Sequence, residues 1–149
     1  MIRIKYLLGL LLICATSFTF FSCSDNDDDV NTNNIPTTII EQLKAMYPDM
    51  TAHWEMERGQ YKAEFIKDGK DYDVYFQQDG TWVMTVVDLV YNDLPQAVKD
   101  YLTANYSDYR VDDVDWVEKP DTRYYHVELE KKGVADVHLN ITAEGQVVK

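Results

Sequence analysis

The stretch Ile35-Pro-Thr-Thr-Ile-Ile-Glu-Gln-Leu-Lys-Ala-Met-Tyr47 returns in outline as Leu94-Pro-Gln-Ala-Val-Lys-Asp-Tyr-Leu-Thr-Ala-Asn-Tyr106. Pro36 and Pro95, Leu43 and Leu102, and Tyr47 and Tyr106 all stand 59 positions apart. Proline suits a first helical turn, where its missing N–H has no partner to lose. Ile35 and Leu94 precede it, placed to staple against Ile39 and Val98. Ile39, Ile40, Leu43, Met46 and Tyr47 recur at helical spacing, as do Val98, Tyr101, Leu102 and Tyr106. Two amphipathic helices of equal length are predicted, the first stopped by Pro48.

After each helix the chain alternates with period two. Ala52, Trp54 and Met56 share one parity, then Tyr61, Ala63 and Phe65, then Tyr72, Val74 and Phe76, then Trp82, Met84 and Val86. Arg58-Gly59, Asp68-Gly69 and Asp79-Gly80 separate these runs as hairpin turns. After the second helix come Tyr109 to Val117, a turn at Lys119-Pro120-Asp121, a run with Tyr125, Val127 and Leu129, one with Val137, Leu139 and Ile141, and Gln146 to Lys149. Tyr61-Lys-Ala-Glu-Phe65 matches Tyr125-His-Val-Glu-Leu129 at a separation of 64. The expected fold is α+β: a tandem duplication of an α-β4 unit, residues 35–90 and 91–149, whose antiparallel meanders join in one sheet with both helices on one face.

The N-terminus reads as an address. Met1 to Lys5 is basic, Tyr6 to Ile13 is apolar, and Phe20-Phe21-Ser22-Cys23 resembles the lipobox of bacterial lipoproteins, with Phe20 where leucine is commoner. Residues 1–22 are thus expected to be a lipoprotein signal peptide and Cys23 the lipidated residue. Cleavage there removes Cys14, so the folded part has no thiol and no disulfide. Ser24 to Asp29 resembles the acidic export signal of surface lipoproteins in Bacteroidetes, and residues 23–34 read as a flexible tether with a coil dimension of about 20 Å. Asp25, Asp27 and Asp29 alternate, but the glycine and distal glutamate of a calcium loop are missing. The expected location is the outer membrane, facing outward or alternatively facing the periplasm, with the lipid anchor as the sole membrane contact.

The whole chain has 14 Lys and Arg against 26 Asp and Glu, a net charge of −12, and loss of Arg3 and Lys5 makes it −14. Such a field repels phosphate backbones, which argues against nucleic acid as a partner. Catalytic signatures are absent: there is no Gly-x-Ser-x-Gly, no His-Glu-x-x-His, no Walker loop, and the six glycines stand singly. Asp71/Asp73 and Asp113/Asp115 are carboxylate pairs on alternating strand positions with no cleft expected around them. His126 and His138 are placed on neighbouring strands, where a zinc site is an alternative to two ordinary polar strand residues. No cofactor is indicated.

From the helix ending Tyr47-Pro-Asp49, the Tyr-x-x-Glu-Phe strand, and the Val-Tyr-Phe strand before Asp-Gly, the chain resembles the PepSY-like family of exported Bacteroidetes proteins. Their fold is similar to that of the beta-lactamase inhibitor protein, a tandem of α-β4 units. The resemblance spans Ile35 to Lys149, with Ser107 in place of Pro48 and an insertion before Tyr125 as departures. It implies a fold and brings no catalytic residue with it.

Helices on one side leave the other side of the sheet bare. Strand parity assigns to it Glu55, Lys62, Glu64, Ile66, Asp73, Tyr75, Val83, Thr85 and Val87 from the first unit. From the second it assigns Asp113, Asp115, Val117, Tyr124, His126, Glu128, Asp136 and His138. Tyrosines and aliphatics among acids are the composition of a protein-binding surface. The expected function is a non-enzymatic binding module that captures or inhibits a protein or peptide through Tyr75, Tyr124, His126 and Glu64. The alternative is an envelope protein that binds a small ligand or a metal.

Overall fold

The computed structural model describes residues 28–148; the expected signal peptide and the Cys23 lipidation site lie outside the described residues. The elements run β1 (Asp28–Asp29), α1 (Thr37–Met46), β2 (His53–Glu57), β3 (Gln60–Lys67), β4 (Lys70–Phe76) and β5 (Trp82–Asp88), then α2 (Gln96–Asn105), β6 (Arg110–Lys119), β7 (Thr122–Glu130), β8 (Val137–Ile141) and β9 (Val147–Val148). All nine strands form one antiparallel sheet in chain order. Two-residue turns return β3, β4 and β7 directly beside their predecessors, while β1–β2 and β5–β6 pair across a helix. The duplicated helix-plus-meander expected from the sequence is therefore present, joined through the β5–β6 ladder.

Each helix covers its own half of the sheet. Ile35, Ile39 and Leu43 pack with Trp54, Ala63, Phe65, Val74 and Phe76 in one buried cluster. Leu94, Val98 and Leu102 pack with Val114, Val127, Leu129, Leu139 and Ile141 in the other. The duplication extends to hydrogen bonds. The Ile39 and Val98 N–H groups donate to Pro36 and Pro95 at 3.0 and 3.1 Å, and those of Tyr47 and Tyr106 close the helices on Leu43 and Leu102 at 2.7 and 2.8 Å.

Two expectations change. Residues 28–34 are not a leash: Asp29 pairs with Glu55, the Val30 N–H donates to the Trp54 carbonyl at 2.9 Å, and Thr32–Asn34 form a 3-10 turn. The segment before α2 does the same, with Asp88 paired to Asp115, the Leu89 N–H on the Val114 carbonyl at 2.8 Å, and a 3-10 turn at Tyr91–Asp93. The 59-residue offset thus reaches back to Asp29 and Asp88, so the repeat begins before residue 35 and its polar lead-in is part of the sheet.

The second change is in β5. Phe76 pairs with Trp82 but Tyr75 pairs with Met84, which leaves Val83 as the extra residue of a β-bulge. A bulge reverses the facing of everything after it. Thr85 and Val87, expected on the bare side, are buried under the helices, and Met84 and Val86, expected inside, face the other way. The Thr85 hydroxyl is satisfied there, accepting from Trp82 Nε1 at 3.2 Å. A second bulge at Asp112 keeps Val111 on the helix side. Asp136 lies just before β8 rather than in it.

Candidate functional site

Opposite the helices, ladder register lays the front-face side chains in transverse rows. One row runs His53, Glu64, Asp73, Val86, Val117, Tyr124 across β2 to β7. Beside it lie Glu55, Lys62, Tyr75 and Met84 on one flank, and Asp88, Asp115, His126 and Asn140 on the other. All four residues expected to contact a partner are on this face. Glu64 and Tyr124 share a row four strands apart, about 19 Å at the usual strand spacing.

Each of the four already has a partner within the chain. The Tyr75 hydroxyl donates to Glu57 Oε2 at 3.0 Å, and Glu64 Oε1 is 2.7 Å from Lys62 Nζ. The His126 Nδ1 is 2.8 Å from Asn140 Oδ1, and Lys119 Nζ stands 5.6 Å from the centre of the Tyr124 ring. Burial raises the Tyr75 phenol well above its ordinary value, and the nearby Asp73 and Glu57 carboxylates add to it. It is a neutral donor at physiological pH.

Electrostatics divide the face. Lys62 is 7% exposed, with Glu55 at 2.9 Å, Glu64 at 2.7 Å and Glu57 at 3.7 Å. Burial by itself disfavours the ammonium, but hydrogen bonds to Glu64 and Glu55 outweigh it and hold Lys62 protonated. Asp73 is pushed up to about 6 by burial, against the pull of Lys62, with Glu64 and Asp88 adding. Across the junction Asp88 and Asp115 are ladder partners, and burial together with neighbouring acids raises both carboxyls. Burial, then Asp113 and Asp88, push Asp115 up to about 6. Lys62 is the residue whose role sequence reasoning missed; the signal for it was a lysine in the middle of an apolar strand.

His126 and His138 lie on adjacent strands as expected, with rings stacked at 5.7 Å. The Nδ1 of His126 is engaged by Asn140 and that of His138 is 3.9 Å from Glu128, so the pair is not preset around an ion. Among the described residues, ligand atoms do converge at Asp29, His53 and Glu55, within 4.8 Å of one another. Depressions of about 380 and 330 Å³ involve the helix-side residues Tyr72, Val87, Trp116 and Tyr125. Neither takes in Asp73, Asp88 or Asp115. Among the described residues no helix is long and apolar enough to cross a membrane.

A family model described as "Putative beta-lactamase-inhibitor-like, PepSY-like" matches residues 59–149, more than half of the chain. No curated protein matches it. Among solved structures, the chain is similar to a BLIP-like protein from Bacteroides fragilis, with 28% identity over 77% of this chain and 84% of that one, and a TM-score of 0.71. It is equally similar to a DUF2874 family protein from Bacteroides ovatus, at 29% identity, 77% and 85% coverage, and a TM-score of 0.71. A third, from Bacteroides eggerthii, is described as one of the "putative periplasmic proteins", with 28% identity, 77% and 86% coverage, and a TM-score of 0.68.

Proposed function

Since the chain belongs to the beta-lactamase-inhibitor-like, PepSY-like family, we propose that it is an exported, lipid-anchored, non-enzymatic module that captures or inhibits a protein or peptide through its front sheet face. One observation carries the reading: among the described residues both helices cover the same side of the sheet, and the other displays Tyr75, Tyr124, Met84, Val86 and the 70% exposed Ile66 among acids. Buried aromatic and aliphatic anchors ringed by polar groups are how protein interfaces obtain their affinity. The resemblance to an inhibitor fold supports the binding half of the proposal; a fold by itself does not select the partner. Cys23 is the proposed anchor, and the outer membrane, facing outward, the proposed location.

A photo-crosslinking residue placed at Tyr124 or Glu64 is expected to capture a discrete partner in intact cells, whereas the same residue at Lys44 on α1 captures none. Equal capture from both sides removes the front face from the proposal. The alternative, an envelope metal binder, rests on Asp29, His53 and Glu55 in place of the two stacked histidines. It requires micromolar zinc binding that His53→Ala abolishes and His138→Ala leaves intact.

A further inference from the structure

The ladder makes the two repeats comparable position by position, and the second lacks a charge that the first has. In the first repeat Lys62 stands directly opposite Glu55, two residues from Glu64, with Asp29 on the far side of Glu55. In the second, His126 stands directly opposite Asp115, two residues from Glu128, with Asp88 on the far side of Asp115. The acids recur while the lysine becomes an imidazole, whose Nδ1 lies 2.8 Å from Asn140 Oδ1 rather than among carboxylates. The other basic position changes as well: His53 of the first repeat corresponds to Asp113 of the second.

In the first repeat three carboxylates lie within 4.0 Å of one ammonium. In the second, Asp88 and Asp115 face each other across the β5–β6 ladder, and burial and neighbouring acids push Asp115 up to about 6. Beside them the face turns apolar. Glu57 and Gln60, paired in the first repeat, become Val117 and Tyr124, paired in the second. An aliphatic stem ending in a cation is the side chain that fits: carbon against the Tyr124 ring, charge among the acids.

Resting on the sheet-face function proposed above, we propose that a lysine or arginine of a protein partner docks on the second repeat among Asp88, Asp115 and Glu128, where it stands as Lys62 stands in the first. The occupant is a cationic protein surface, chosen by charge complementarity and by the lysine that the chain itself supplies at the equivalent place.

The test uses a hexalysine peptide as probe and amide chemical shifts as readout. Three proteins are compared: wild type, H126K, which rebuilds the first repeat's arrangement, and T103K, which adds the same charge on α2. Wild type and T103K are expected to bind alike, with shifts centred on Asp88, Asp115 and Tyr124, and H126K about tenfold more weakly. Thermal melts establish that H126K is folded, and Asp115→Asn gives a second route to the same loss. Equal weakening in H126K and T103K overturns the proposal, because the probe then reports only the overall negative field. Shifts on the front face that H126K leaves unchanged also overturn it while sparing the sheet-face function. Shifts confined to the helix side sink both. Calcium ions that move these amides when hexalysine does not would overturn it in favour of a metal.

Discussion

In the first repeat Asp29, Glu55, Glu57 and Glu64 surround Lys62 and His53; in the second the same ladder positions hold Asp88, Asp115, Val117 and Glu128 around His126 and Asp113. Beneath this difference the backbones coincide to the level of single hydrogen bonds, from the proline helix starts to the Val30 and Leu89 amides. The cores also correspond, Phe76 occupying the place that Ile141 holds in the other half. Close packing resists change, since a methylene gained or lost inside is felt at once. Front-face positions lie outside these helix-covered clusters and are free to diverge. The repeats are thus alike where they fold and unlike where a partner would touch them.

Four experiments break or sharpen that comparison. The largest effects are expected in the cores: Phe76→Ala should cost about 4 kcal/mol and Ile141→Ala about 3 kcal/mol in urea unfolding. Because the sheet is continuous through β5–β6, each variant is expected to melt in one transition. Two transitions, with only one displaced, would show that the repeats are independent folding units.

Next comes Lys62→Met. It leaves Glu55, Glu57 and Glu64 facing one another and should cost about 2–3 kcal/mol at pH 7. His126→Lys, the mirror substitution, should leave stability unchanged or raise it by up to about 1 kcal/mol. If both variants destabilise equally, the charge asymmetry between the repeats has no energetic content.

The turn glycines Gly80 and Gly145 are also repeat equivalents, at φ +93° and +82°. A Cβ at Gly145 would lie 2.8 Å from the Ala97 carbonyl oxygen at the start of α2, while one at Gly80 would lie 3.4 Å from Thr38 Oγ1. Gly145→Ala is therefore expected to cost about 2 kcal/mol and Gly80→Ala about 1 kcal/mol, the latter from the backbone alone. Equal costs would mean that the helix start yields around Gly145.

The smallest effect is a pH dependence. Asp115 titrates near 6 in the folded protein against an ordinary 3.8. The native state therefore binds more protons than the unfolded one between these values, and this group's contribution falls as pH rises from about 4 through 6. Asp115→Asn removes the penalty. Allowing for solvent screening, it should stabilise by about 1 kcal/mol at pH 7.5 and by nothing at pH 4, read from melting temperatures at the two pH values. A benefit that persists at pH 4 would assign the effect to packing.

Much of this was legible in the chain. Prolines at a fixed offset, turn glycines and the change of apolar period from helical to alternating announce two helices and their strands, because each is a local constraint on φ and ψ. The face of β5 was not legible. Trp82-Val-Met-Thr-Val-Val87 is apolar almost throughout, so periodicity cannot choose a side, and the bulge at Val83 chose for it. Nor did the lead-in at Asp29 look like a strand, since its two residues gain their order from β2 and not from their own composition.

By itself, the sequence determined the duplication, the helix limits, the excess of acid and, outside β5, the residues that line the cores, all properties of local chemistry and spacing. Only the tertiary structure decided which acids meet. Glu55 with Lys62, Asp88 with Asp115, and Asp115 with His126 are consequences of ladder register. Register is a relation between strands, set by bulges and by packing under the helices, and no single strand contains it.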